Sequence, residues 1–180
     1  LDPERGVSAI DELARVIRTL HDGTDLVQGT SVNVGIIHGG SRTNVTAGHA
    51  IGEVDVRVQS TEEAHRIDQV LASLTPHHPL ARIEVRGEWN RPPMERTQGV
   101  AELFDLAREE ADALGFELTE VSVGGASDGN FAAAMGLPVL DGLGAVGDGA
   151  HARNEWISLE GLVERAALAA QESYKRVAQR

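Results

Sequence analysis

Two adjacent prolines, Pro92 and Pro93, break the hydrophobic patterning of this 180-residue chain near its middle. Neither can donate a backbone N–H, and each restricts the residue before it, so no helix or central strand runs through them. The periodicity changes around Trp89-Asn90-Arg91-Pro92-Pro93. That change predicts one domain of residues 1–88 and a second of residues 89–180, and the length suits two small domains.

Before the break, Asp2-Pro3 reads as an N-cap and first turn. Val7, Ile10, Leu13, Ala14, Ile17 and Leu20 follow at helical spacing, and Gly23 lies past the end. Residues 31–37 alternate through Val32, Val34 and Ile36, which predicts a strand. In residues 50–58, Val54, Val56 and Val58 take one face, and Glu53, Asp55 and Arg57 the other. Ser60 and Glu63 form a capping box for a second helix, which Pro76 ends. Residues 81–86 predict a third strand. The order is αββαβ, so one strand more in front would complete a ferredoxin-like βαββαβ unit. The chain starts at Leu1 rather than Met, and with the missing first strand this sets the expectation of absent upstream sequence.

After the break, a helix is predicted from about Thr97 to Leu114, closed by Gly115. Residues 116–123 and 137–140 read as strands, with a short Ala-rich helix from Ser127-Asp128-Gly129 to Gly136 between them. A last helix starts at Ser158 with Leu159, Leu162, Val163, Ala166, Ala170 and Tyr174 on one face. This alternation resembles the edge of an α/β layered sheet.

Composition removes several function classes. The formal net charge is -12 and no Lys/Arg cluster appears, which argues against nucleic acid as a partner. With no cysteine, disulfides, thiolate zinc sites and a cysteine nucleophile are excluded. No apolar run approaches the ~20 residues of a membrane span. Hydrophobic residues make up 41% but aromatics only 3%, so the core must be mostly aliphatic.

Three places could carry chemistry. His151 lies in Gly147-Asp148-Gly149-Ala150-His151, where small residues can present an imidazole without crowding. A neutral imidazole is a common zinc ligand, while a loop histidine bonded to backbone is the plainer reading. Gly124-Gly125-Ala126-Ser127-Asp128-Gly129-Asn130 could form a backbone donor cup for an anion or carbonyl, or simply an N-cap turn. No Gly-Lys-Ser/Thr follows it, so it is not a phosphate loop. Arg57, on a polar strand face, could grip a carboxylate, and Asn44 lies in the preceding turn. A solvated arginine and a turn asparagine remain the alternatives. His77-His78 reads as an exposed loop pair, and His21, His38, His49 and His65 show no ligand spacing.

Asn44-Val45-Thr46 through Asp55-Val56-Arg57, then Gly125-Ala126-Ser127-Asp128-Gly129, then Gly149-Ala150-His151, resemble in order the zinc-dependent glutamate carboxypeptidases. These group with acetylornithine deacetylase, succinyl-diaminopimelate desuccinylase and aminoacylase. The resemblance covers essentially the whole chain. It implies an α/β protein: a ferredoxin-like dimerisation or lid domain lacking its first strand, and the C-terminal part of a zinc-exopeptidase-like sheet domain.

The same resemblance puts His151 at a metal ligand and Asn44 and Arg57 at substrate-binding lid positions, the arginine taking a free carboxylate. Arg91 matches a further substrate-facing arginine more loosely, and Gly125, Ala126 and Ser127 fall where substrate is contacted. The remaining metal ligands, the general-base glutamate and a lid histidine that reaches the partner subunit belong upstream and are not in this chain. The implied whole is a two-zinc hydrolase of a small peptide or N-acyl amino acid, dimeric through residues 1–88, with this chain as an inactive C-terminal portion. A non-catalytic dimerisation module is the competing reading.

Overall fold

The structure is a computed structural model that describes the backbone of residues 6–178 and the side chains of residues 6–171. The Asp2-Pro3 cap and the Tyr174 side chain lie outside the described residues. The architecture is mixed α/β with two small antiparallel sheets. The chain divides into two compact units, Leu1–Pro93 and Met94–Arg180.

In the first unit, α1 (Ala9–His21) is capped by Ser8, whose hydroxyl accepts from the Asp11 amide. Strands β1 (Ser31–Gly39) and β2 (Ala50–Arg57) pair antiparallel from Ser31↔Arg57 to Gly39↔Ala50. Helix α2 (Thr61–Ala72) follows, with the Ser60 hydroxyl accepting from the Glu63 amide at 3.2 Å. Leu20, Val32 and Ile67 form the core, with Val34, Val56, Val58 and Trp89 packed against it.

The ribbon departs from simple alternation at one point. The register shifts between Val34 and Ile36, so Ile36 stands opposite Glu53 while Val34 stands opposite Val54. One extra residue turns the following side chains to the other face. Ile36 is therefore 47% exposed instead of continuing the Val32–Val34 row. The inner face receives α1: a Cβ on Gly52 would meet Leu13, and one on Gly39 would meet Ile10.

Polar contacts pin the ends of the helices. The buried Glu63 carboxylate accepts from the Thr30 hydroxyl and from Arg66, and Arg66 also donates to the Gly23 carbonyl. Arg66 and Thr30 together hold the Glu63 carboxyl down at about 2. Glu12, also buried, accepts the His77 and His78 amides at 2.8 Å each, tying the turn after α2 to α1.

The predicted third strand at 81–86 forms no ladder. In a ferredoxin-like unit that strand pairs with the first strand, and among the described residues no such strand stands beside it. The segment still returns to the core through Trp89, whose indole N–H donates to Asp68 at 3.0 Å.

In the second unit, α3 (Gln98–Leu114) is capped by Thr97 and closed by Gly115 at φ 90, as the sequence predicts. A six-residue α4 (Gly129–Ala134) and α5 (Leu159–Ala178) follow, and between them strands β3 (Gly147–Asp148) and β4 (Trp156–Ile157) form a small hairpin. Phe104, Ala107 and Ala111 of α3 pack with Leu118 and with Leu168 of α5. Residues 116–123 and 137–140 form no ladder, contrary to the sequence expectation. A strand forms only where its backbone N–H and C=O groups meet those of a neighbouring strand. Here Leu118 and Leu140 reach the core, while Val121 is 81% exposed and Val123 67% exposed.

Candidate functional site

The hairpin of the second unit holds His151. Gly147 lets its strands close: a Cβ there would lie 2.1 Å from the Trp156 carbonyl oxygen. The Asp148 carboxylate accepts from the Gly149 amide at 2.6 Å, and Ala152 donates back to the Gly149 carbonyl at 2.8 Å. These contacts leave His151 exposed at φ 68, the one non-glycine residue with positive φ among those described. A bulky side chain in that region carries a backbone cost that its surroundings must impose. The sequence reading placed His151 in a simple loop and missed the hairpin, because two-residue strands leave no periodic signal.

One imidazole does not make a metal centre. Among the described residues no group of three or more His, Asp or Glu side chains could hold an ion, and zinc takes four ligands in structural sites, three of them protein in catalytic ones. Around His151, the described residues thus supply one donor of such a site.

The Gly125 to Ser127 segment is less open than its composition suggests. The Ser127 amide donates to the buried Asn130 side chain at 2.9 Å, and the Ser127 hydroxyl accepts from the Gly129 amide at 3.0 Å. Two donors of the expected cup are thus engaged within the turn, which leaves Gly125 and Ala126 as its exposed part.

In the first unit, Arg57 ends β2 on the exposed face, and its Nε donates to the Asp55 carboxylate at 2.8 Å. That carboxylate raises the pKa of the guanidinium further. Asn44 is exposed in the turn closed by Val45 N–H to the Arg42 carbonyl. The register sets Arg57 opposite Ser31 and the Asn44 turn beyond Gly39↔Ala50. At ~3.3 Å per residue the two side chains lie on the order of 20 Å apart along the ribbon. Arg91 is half-buried in the segment after Trp89.

Two histidine readings change. His78 is half-buried and its Nδ1 accepts from the Leu80 amide, so it belongs to the turn. His38 and His49, scattered in sequence, line one open groove of about 460 Å³ at the β1–β2 tip. Their shared face follows from the hairpin register, which the sequence does not print.

Residues 2–82 match the family described as peptidase dimerisation domain. Carboxypeptidase G2 of Pseudomonas sp. (strain RS-16) is 27% identical over 175 residues, which is 93% of this chain and 41% of that protein. The uncharacterized protein YqjE of Bacillus subtilis (strain 168) is 27% identical over 170 residues, covering 92% of this chain and 45% of its own length. A tripeptidase from Staphylococcus aureus superposes with a TM-score of 0.76 at 28% identity, over 99% of this chain and 48% of that one. Residues 2–82 thus carry a peptidase dimerisation domain, and the chain is similar to peptidases over nearly all of its length. Aminopeptidase PepT from Bacillus cereus gives a TM-score of 0.71 at 25% identity, over 96% of this chain and 46% of its own. The chain thus spans less than half the length of the proteins it matches.

Proposed function

We propose that this chain supplies the dimerising lid and one metal-ligating hairpin of a hydrolase that cleaves an amide bond next to a free carboxylate. The observation that carries the proposal is His151, an exposed imidazole held at positive φ on a closed hairpin. Such outliers concentrate where function fixes a side chain. The peptidase relatives and the dimerisation-domain match support the same reading.

Residues 1–88 form the lid in this account, and residues 89–180 belong to the catalytic domain. The implied metal is zinc, as two ions, and when bound it supplies an activated water. His151 holds one nitrogen ready for it, and the other donors come from residues outside this chain. Arg57 takes the free carboxylate of a small peptide or N-acyl amino acid. Arg91, Gly125, Ala126 and Ser127 contribute further substrate contacts. Asn44, at the far end of the ribbon from Arg57, serves the site of the second subunit of a homodimer formed through the lid.

In the complete protein, His151→Ala removes one zinc and nearly all turnover. Full activity in that variant would refute the ligand role.

A second reading has its own observation: no three donors converge among the described residues. It makes the 180-residue chain a dimerisation module without chemistry. Stoichiometric tight zinc at His151 in the isolated chain would contradict it. An N-acyl-amino-acid deacylase is a variant of the first reading, and matched peptide and N-acyl substrates separate the two.

A further inference from the structure

We propose that His38 and His49 form a two-donor site for a borderline transition-metal ion, such as Ni²⁺ or Zn²⁺, at the open end of the β1–β2 ribbon. His38 stands opposite Ile51. The Gly40 amide donates to the His49 carbonyl at 3.2 Å, which extends the same register one pair beyond Gly39↔Ala50. His38 and His49 are thus diagonal neighbours. Diagonal neighbours on one face have Cα atoms roughly 7–8 Å apart and Cβ atoms closer, within reach of long side chains.

The groove gives independent support for a common face, because both histidines line it together with Ser41 and Ile51. Its remaining wall is glycine, and a Cβ added at Gly48 would meet nothing within 4 Å. The groove is thus open on its Gly48 side. Both histidines are exposed, so neither ring depends on the core for its position.

Two imidazoles converging on one ion give a chelate with nitrogen distances near ~2.0–2.1 Å for zinc, and water fills the open positions. No third His, Asp or Glu joins them among the described residues, so the site is open and exchangeable rather than closed and structural. His77 and His78 do not offer the same chelate, because the His78 Nδ1 is engaged by the Leu80 amide. The site lies in the first unit and is independent of the role proposed for His151, which lies in the second.

The test is calorimetric titration of the chelator-treated 180-residue chain with Ni²⁺ and with Zn²⁺. The proposal expects one saturable equivalent at this site. His38→Ala and His49→Ala should each weaken it about tenfold or more, since each removes half of the donor set. The double variant His77→Ala/His78→Ala and, separately, His151→Ala should leave it unchanged. Binding that survives both His38→Ala and His49→Ala, or no saturable binding below millimolar metal, would overturn the proposal. Exposed rings tolerate alanine, and an unchanged thermal unfolding curve for each variant confirms that only donors were lost.

Discussion

Asp55 and Arg57 share one face of β2, and the Asp55 carboxylate accepts a hydrogen bond from Arg57 Nε at 2.8 Å. An acid two residues away thus anchors the inner edge of the guanidinium. The pair is about half exposed, so it adds little to stability; its effect is on orientation. In the complete protein, Arg57→Ala should raise KM for carboxylate-bearing substrates about 10- to 100-fold, the scale of losing a charge-assisted pair. Asp55→Asn should raise it only a few-fold, with kcat kept. Steady-state kinetics on matched substrates with and without the carboxylate checks both, and an unchanged KM in Arg57→Ala contradicts the assignment.

Glu63 makes the first unit acid-sensitive. Its carboxyl is held at about 2, below the ordinary value of 4.5, first by Arg66 and then by Thr30. A depressed folded value stabilises the native state above the unfolded value and loses that contribution as pH falls through the folded one. The contribution is therefore complete above about 4.5 and fades toward 2. Glu63→Gln should flatten the pH dependence of urea unfolding in that window and leave the slope above it unchanged.

Gly147 tests the hairpin that carries His151. A methyl group there would stand 2.1 Å from the Trp156 carbonyl oxygen, so the strands must part. Gly147→Ala should cost ~1–3 kcal/mol of overpacking strain and open residues 149–155 to protease. A variant as stable and as protease-resistant as the parent would show that the closure is not as drawn.

His151 itself should be dispensable for folding. Glycine adopts its φ of 68 without steric cost. His151→Gly should therefore be no less stable than the parent, and up to ~1 kcal/mol more stable. Chemical denaturation measures this. A large loss of stability would mean that the imidazole packs rather than presents itself to a ligand.

The sequence carried most of what depends on local pattern. Thr97 and Gly115 bound α3, and Ser60 caps α2, because caps and left-handed glycines act within a few residues. The strands were legible as residues but not as ladders. Residues 81–86, 116–123 and 137–140 have strand composition, yet pairing depends on a neighbour that need not be nearby in the chain. Ile36 was misplaced because a bulge changes facing without changing composition. Arg57, Asn44 and His151 were singled out by motif. Their geometry was not, since the separation of Asn44 from Arg57 follows from the register of a long hairpin.

Subunit complementation tests the central claim most directly. Mixed dimers of the complete protein are formed, in which one subunit carries Asn44→Ala and the other Arg57→Ala. If each active site takes Arg57 from one subunit and Asn44 from its partner, one site per mixed dimer is intact, and about half of the parental activity returns although each variant alone is impaired. Mixed dimers no more active than the single variants would place both residues in one subunit's site and contradict the account.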